Sequence, residues 1–279
     1  MRLNRNRLAV AGLLSLTCAP AFAEQSPALD RFNLSVGAFR GDTDTDLRAQ
    51  SRGVSPEVRG KLSFEDDLGF PKHNTIYRVK ADGLITDHNG WAVDYYRLNR
   101  DRTIGYGAAI DAPGGDVSVS AQARGRMNLD LGTAAFQHWF GERQDVFGLG
   151  LGAAYYHVHL SAAVNGTASQ VGGETVSGEA STAYNEGAWA PVLTLGYRHQ
   201  FNDQWRLYAN ASGIKKNGGN LNGHIYNGAL GVEYYPWKQL GFGAEYSISK
   251  VHLNRESRDY AAQLDIRTKG PGVYVHWRF

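Results

Sequence analysis

Between Tyr226 and Tyr234 every second residue (Tyr226, Gly228, Leu230, Val232, Tyr234) is aromatic, aliphatic or glycine, while Asn227, Ala229, Gly231 and Glu233 between them are small, polar or acidic. Period two is the mark of a strand with two different faces. After Pro236-Trp237-Lys238-Gln239 the alternation resumes, with Leu240, Phe242, Ala244, Tyr246 and Ile248 set against Gly241, Gly243, Glu245, Ser247 and Ser249. A soluble sandwich has the same period, so the ends of the apolar face decide. Tyr226 and Tyr234 bracket about nine residues, the length that crosses a bilayer between two aromatic girdles.

Such a strand crosses a membrane only in a closed barrel, where every backbone group finds a partner. The chain holds 34 Gly, 15 Tyr and 6 Trp and, past its N-terminus, has no apolar run long enough for a membrane helix. That composition suits an all-β protein.

The N-terminus reads as a cleavable export signal: Arg2, Arg5 and Arg7, an apolar run from Leu8 to Leu16, then Ala21-Phe22-Ala23 before Glu24. Cleavage after Ala23 divides the chain into a signal peptide, residues 1–23, and a barrel domain, residues 24–279. The only cysteine, Cys18, has Ser15 and Thr17 where a lipoprotein signal needs Leu-like and small residues, so lipidation is not expected. Without Arg2, Arg5 and Arg7 the 29 basic residues fall to 26 against 27 acidic ones, a net charge of −1. Nothing in that balance points to nucleic acid, and a mature chain without cysteine leaves no disulfide or thiolate metal site.

Further hairpins repeat the pattern. Trp189-Pro191-Leu193-Leu195-Tyr197 and Trp205-Leu207-Ala209-Ala211 flank Asn202-Asp203-Gln204, with Thr194, Arg198, Gln200, Arg206, Tyr208, Asn210 and Ser212 on the other face. Around Gly141–Asp145, Leu129, Leu131, Thr133, Ala135 and Trp139 are expected to face outward with Phe147, Leu149, Leu151, Ala153 and Tyr155, leaving Gly148, Gly150, Gly152 and Ala154 inside. Around Asp87–Gly90, Tyr77, Val79, Ala81, Ile85, Trp91, Val93 and Tyr95 face outward. A first strand carries Phe32, Leu34, Val36 and Ala38, and a last one ends at Val273, Val275, Trp277 and Phe279. The sum is about ten antiparallel strands, or eight or twelve if one hairpin is misread. Short turns lie on the periplasmic side and long extracellular connections at about 41–74, 103–127, 162–188, 215–223 and 254–260.

The terminal strand, Val273-Tyr274-Val275-His276-Trp277-Arg278-Phe279, resembles the C-terminal signal read by the barrel-assembly machinery, with Tyr274, Trp277 and Phe279 as its aromatic positions. With the export signal and the hairpins, the whole mature length resembles the superfamily of small, porin-like bacterial outer-membrane β-barrels. The segment Phe64-Glu65-Asp66-Asp67-Leu68-Gly69-Phe70 is similar to one in poorly characterised members. The resemblance implies residence in the outer membrane and partners in membrane lipid and lipopolysaccharide, the assembly machinery and periplasmic chaperones.

Several apparent motifs read as structure. Gly148-Leu149-Gly150-Leu151-Gly152 lies in a strand and does not open a helix, so it is no dinucleotide loop. Asp42-Thr43-Asp44-Thr45-Asp46 has the carboxylate spacing of a calcium loop, but Leu47 and Gly53 stand where glycine and glutamate are required, so it reads as a solvated acidic loop. His157, His159, His224 and His252 lie near outer rims and lack the partners of an omptin-like protease or the His-x-Ser element of a lipid A deacylase. A surface hydrolase of either kind, the protease or a lipid A-modifying enzyme, stays as the alternative.

The inward charges are the better candidate site: Arg78, Lys80, Asp82, Asp94, Arg198, Arg206, Glu233 and Glu245 converge on one lumen, where they must pair or meet water. The expectation is a non-enzymatic barrel without cofactor or metal. It would act as a narrow passive channel for a small solute, or as a structural or surface-interaction protein with a charged, largely filled lumen and a ligand on a host or other surface.

Overall fold

The computed structural model describes residues 26–51, 59–67, 69–110, 117–170, 175–218, 221–256 and 260–279; the export signal lies outside the described residues. The chain forms β1 Phe32–Ser51, β2 Arg59–Ser63, β3 His73–Leu84, β4 Asn89–Ile110, β5 Val117–Phe140, β6 Asp145–Gln170, β7 Thr175–Gln200, β8 Trp205–Lys216, β9 Leu221–Tyr234, β10 Leu240–Glu256 and β11 Tyr260–Arg278. Each strand except β2 pairs antiparallel with its neighbours in sequence, and β11 returns to β1, so ten strands close a barrel. The seam runs from Asn33 opposite Arg278 to Ser51 opposite Tyr260. At its periplasmic end Phe279 N donates to Phe32 O at 2.9 Å and Phe32 N donates to Phe279 O at 3.3 Å. β2 is a short extra strand on β1, pairing Asp46 to Gln50 with Ser63 to Arg59.

Short turns join the strands at the periplasmic end. At Gly141 φ is +103° and a Cβ would lie 2.4 Å from the Asp145 carbonyl, so only glycine fits. Between β7 and β8 the Asn202 Oδ1 accepts from Gln204 N and Trp205 N, both at 2.9 Å. Aromatic residues on neighbouring strands meet near this end: Trp205 with Tyr234 at 4.6 Å and Phe147 with Tyr197 at 4.8 Å.

The opposite end differs from the sequence reading. Connections expected at 103–127 and 162–188 are largely strand, because β4 to β7 run 22, 24, 26 and 26 residues, more than twice what a bilayer needs. Asp42, Asp44 and Asp46 sit in β1 rather than in a loop; they oppose Lys269, Arg267 and Asp265 across the seam. The wall also divides here. Pairing of β3 with β4 stops at Tyr77 opposite Arg97, and that of β7 with β8 stops at Val192 opposite Ile214, next to Pro191, which has no N–H to give. Above those points β4 to β7 form one sheet and β8 to β11 with β1 to β3 form another.

Across this boundary the apolar face of each strand changes sides. On β10 Phe242, Tyr246 and Ile248 are exposed on the outer wall, whereas Glu245 and Ser247 are buried inside; higher up Lys250 is exposed and Val251 and Leu253 are buried. On β6 Leu149, Leu151 and Tyr155 face out, then Tyr156 and Val158 face in. The lower part is a membrane barrel, polar inside and apolar outside. The upper part has the reverse polarity of a soluble sandwich, its core built from Leu98, Met127, Leu129, Tyr156, Ile225, Val251 and Ile266.

This reversal corrects the assignment of β5. Leu129, Leu131, Ala135 and Trp139 are buried inside, and Phe136 and Phe140 are exposed on the wall. Leu129 and Leu131 set the phase of the sequence reading, yet they belong to the upper core. A cysteine at exposed Arg126 should therefore react with a membrane-impermeant maleimide on intact cells, and one at Leu129 should not. Equal labelling of Arg126→Cys and Leu129→Cys would remove the inward placement.

Candidate functional site: the charged interior

At membrane depth the inner face is crowded because each strand spends its apolar positions on lipid and leaves polar ones inside. The structure places all eight charges from the hairpins there, in three linked groups. In the lowest, fully buried Arg206 on β8 donates from Nε to Glu233 Oε2 on β9 at 2.7 Å, from Nη2 to the Tyr235 hydroxyl at 2.9 Å and from Nη1 to the Ala28 carbonyl at 3.1 Å. Its Nη1 also lies 2.7 Å from Asp30 Oδ2. Glu233 Oε2 accepts from Tyr235 at 3.0 Å, and His276 Nδ1 lies 2.7 Å from Ser35 Oγ and 3.5 Å from Glu233 Oε1.

Arg198 on β7 forms the second group. It donates to Asp82 on β3 at 2.7 Å and lies over the Trp139 ring at 4.9 Å. Trp139 fits because Gly148 and Gly196 border it; a Cβ at either would come within 2.8 or 2.9 Å of the ring. Gly148 on β6 and Gly196 on β7 thus make room for a large side chain.

In the third group Arg78 on β3 donates from Nε to Asp94 on β4 at 2.8 Å, grips the same carboxylate through Nη2, and reaches Glu245 on β10 at 3.2 Å. Glu245 also accepts from Lys80, from Ser247, from Tyr208 at 2.6 Å and from Tyr274 at 3.2 Å. Tyr274 therefore points into the interior, whereas Trp277 and Phe279 are exposed on the wall and stack at 5.9 Å.

Three further elements have roles that the sequence does not reveal. The first is the turn Ser26–Asp30, which enters the periplasmic mouth: Ala28 and Leu29 are buried against Trp139 and Val146. The second is the set of interior tyrosines, Tyr208, Tyr235 and Tyr274, whose hydroxyls the alternation marks as inward but whose partners lie far away in sequence. The third is the segment around Phe64-Glu65, of which all but Leu68 is described. Phe64 and Phe70 meet at 5.3 Å inside the upper sandwich. Glu65 Oε2 accepts from Thr45 N at 2.7 Å, and Glu65 Oε1 lies 2.6 Å from Arg100, a fully buried residue that also donates to Thr45 Oγ1 at 2.8 Å and the Pro71 carbonyl at 2.9 Å.

Between the periplasmic turn and the apolar upper core lies a cavity of about 100 Å³, bordered by Arg78, Asp82, Asp94, Gln137, Thr194 and Arg198. It has room for roughly three waters.

The rim histidines stand elsewhere, on the outer wall. His157 Nε2 meets Asn185 Oδ1 at 2.5 Å, and Asp130 at 3.8 Å is engaged by Arg97 and by Tyr95 at 2.8 Å. His224 stacks on His252 at 4.9 Å, and His252 Nδ1 lies 2.5 Å from Asp265. Burial would raise the Asp265 carboxyl, but the His252 and Gln263 hydrogen bonds outweigh it and hold that group below the usual carboxylate value. Neither arrangement joins a serine or a second acid to a histidine. Among the described residues, no group of three or more His, Cys, Asp and Glu side chains could hold a metal ion.

The fold and its belt define the class: a closed antiparallel barrel of the outer-membrane type. No protein-family model and no curated protein sequence matches the chain. Solved structures do. The outer membrane protease OmpT from Escherichia coli superposes with a TM-score of 0.51 at 11% identity, over 89% of this chain and 96% of that one. The outer membrane protein OprG from Pseudomonas aeruginosa gives 0.36 at 8%, over 90% and 98%, and the translocator domain of autotransporter NalP from Neisseria meningitidis gives 0.29 at 12%, over 88% of each. The likeness to OmpT is one of fold.

Removing one partner of a buried pair strands the other charge, which costs about 3 to 5 kcal/mol. Glu233→Gln should lower the stability of the barrel in lipid by that order in urea unfolding, and adding Arg206→Gln should recover part of the loss. A cost for Glu233→Gln of about 1 kcal/mol or less would mean that water already solvates the pair.

Proposed function

We propose that this protein is a non-enzymatic outer-membrane barrel that acts as a closed structural and surface-interaction protein rather than a channel. The observation that carries this reading is the double closure of the interior. The Ser26–Asp30 turn and the Arg206 group fill the periplasmic mouth, and Phe64, Phe70 and the apolar core fill the extracellular half. The pairing of the eight hairpin charges, four cations with four carboxylates, also gives a passage no sign to select. What remains for contact with the surroundings is the outer wall above the membrane, where the edge of β7 away from β6 has no paired strand from Thr175 to Pro191 among the described residues. An unpaired edge of that length can take up an extended segment of another chain.

Conductance tests the reading. The mature protein in a planar bilayer should show no unitary steps above the bare-membrane leak. Reproducible steps in the unmodified protein would replace it with the narrow channel. Incubation of the same material with unstructured peptide and with lipid A should give no cleavage, and turnover of either substrate would favour the surface hydrolase.

In this reading the chain is exported, loses residues 1–23 and is delivered through periplasmic chaperones to the assembly machinery by its last strand. Phe279 closes the seam through Phe32. Deleting Phe279 should lower the heat-modifiable, folded fraction in the outer membrane and raise periplasmic degradation. Unchanged yield and folding would show that neither the seam nor the machinery needs it.

A further inference from the structure

On each strand the outward residues climb through the apolar belt and then turn polar. On β10 the run Phe242, Ala244, Tyr246, Ile248 ends at Lys250; on β11 Val275, Val273, Pro271 ends at Lys269; on β1 Leu34, Val36, Ala38 ends at Arg40. Three neighbouring strands thus place a cation at the first polar step above the hydrocarbon. All three are exposed, as is Arg267 one pleat above Lys269. Lys250 and Arg267 stand directly opposite each other in the ladder. Two like charges in that position repel and weaken the sheet unless an anion lies between them. Lys269 lies two residues from Arg267 on the same face, and Arg40 lies diagonal to Lys269 beyond the Asp42 to Lys269 pair.

Of the acidic residues beside these cations, Asp265, one pleat above Arg267, is held by His252 and Gln263, and the others lie across the seam on β1. Asp44 opposes Arg267, and Asp42 opposes Lys269 while meeting His73 at 2.8 Å. On β4 the first polar outward residue, Arg97, is instead paired with Asp130, and on β8 the corresponding Lys215 stands alone opposite His224. Beneath the cations the wall is apolar and shallow, with Ile248, Tyr246, Leu230 and Val273 exposed beside the small residues Ala244, Gly228 and Ala38.

We infer that Lys250, Arg267, Lys269 and Arg40 form a binding site for the phosphate-bearing headgroup of an acylated glycolipid of the outer leaflet, whose chains lie along the wall below. The site rests on the outer-membrane reading, since only that orientation puts this collar in the outer leaflet. Cations at headgroup depth gain from anionic lipid, and several of them on adjacent strands hold one phosphorylated headgroup better than scattered ones do.

The test is native mass spectrometry of the mature protein, extracted from the outer membrane in mild detergent. Unmodified protein and the periplasmic-turn variant Lys238→Gln should both retain phosphorylated glycolipid. The triple variant Lys250→Gln/Arg267→Gln/Lys269→Gln should lose at least about tenfold of that retention, as expected when several charge-assisted contacts go together, while its heat-modifiable folding stays intact. If the triple variant does not fold, Lys250→Gln alone decides on the same ratio. Retention unchanged by the substitutions, or equal retention of dephosphorylated lipid, would overturn the site. Displacement by millimolar inorganic phosphate, with no dependence on acyl chains, would make it a free-anion site and overturn the lipid. Absence of the protein from the outer-membrane fraction would instead refute the outer-membrane reading itself.

Discussion

A backbone that enters hydrocarbon must satisfy its own hydrogen bonds, and the remaining features follow from the way this chain does so. Ten strands close on one another, and the seam between β1 and β11 is paired from Asn33 opposite Arg278 up to Ser51 opposite Tyr260. Closure leaves each strand two faces with unlike surroundings. Inside the membrane the outer face meets lipid and must be apolar; above it the outer face meets water and the inner one must be apolar. Ile248 and Val251 lie three residues apart on β10 and point to opposite sides, which is the shortest statement of that switch.

The polar interior at membrane depth could be solved by water or by pairing. Pairing engages all eight hairpin charges, beside a cavity of about 100 Å³ bordered by Arg78, Asp82, Asp94 and Arg198. Arg206, Arg198 and Arg78 each take a carboxylate from a different strand or from the N-terminal turn, so the groups tie together parts of the wall that share no backbone hydrogen bond. Arg78 spans from β3 to β10 and Arg198 from β7 to β3. Such ties gain little net energy over an apolar filling of equal volume, because desolvation offsets attraction. Their consequence is positional: each guanidinium has one arrangement of partners, which fixes the side chains around it.

The strands of the lower barrel were legible in the sequence because lipid forces a regular alternation with aromatic ends. Tyr226 to Tyr234 and Leu240 to Ile248 are of this kind, and the outward phase read there is the one the structure has. β5 was misread for a physical reason. Leu129 and Leu131 alternate as cleanly as any belt residues, but they lie above the membrane, where the apolar face is the inner one. The upper halves of β4 to β7 read as loops in the sequence because a solvated sheet of Gly, Ala, Ser and Thr shows no period. Pairing partners such as Arg198 with Asp82 lie 116 residues apart, so the charges could be placed on one face without being matched.

The segment Phe64–Phe70 shows how the upper half completes itself. The two sheets diverge once β7 leaves β8 and β3 leaves β4, and the space between them would admit water to an apolar core. Phe64 and Phe70 fill that space, and a Cβ at Gly125 would already be 3.0 Å from the Phe70 ring, so the aromatic side chain takes the volume a larger residue on β5 would occupy. Glu65 then has to be buried with them, and Arg100, whose guanidinium lies over Phe70 at 5.3 Å, supplies its counter-charge. A buried carboxylate at this place is tolerated only because the arginine is fixed from three sides. The two rings and the ion pair therefore complete the upper core as one unit.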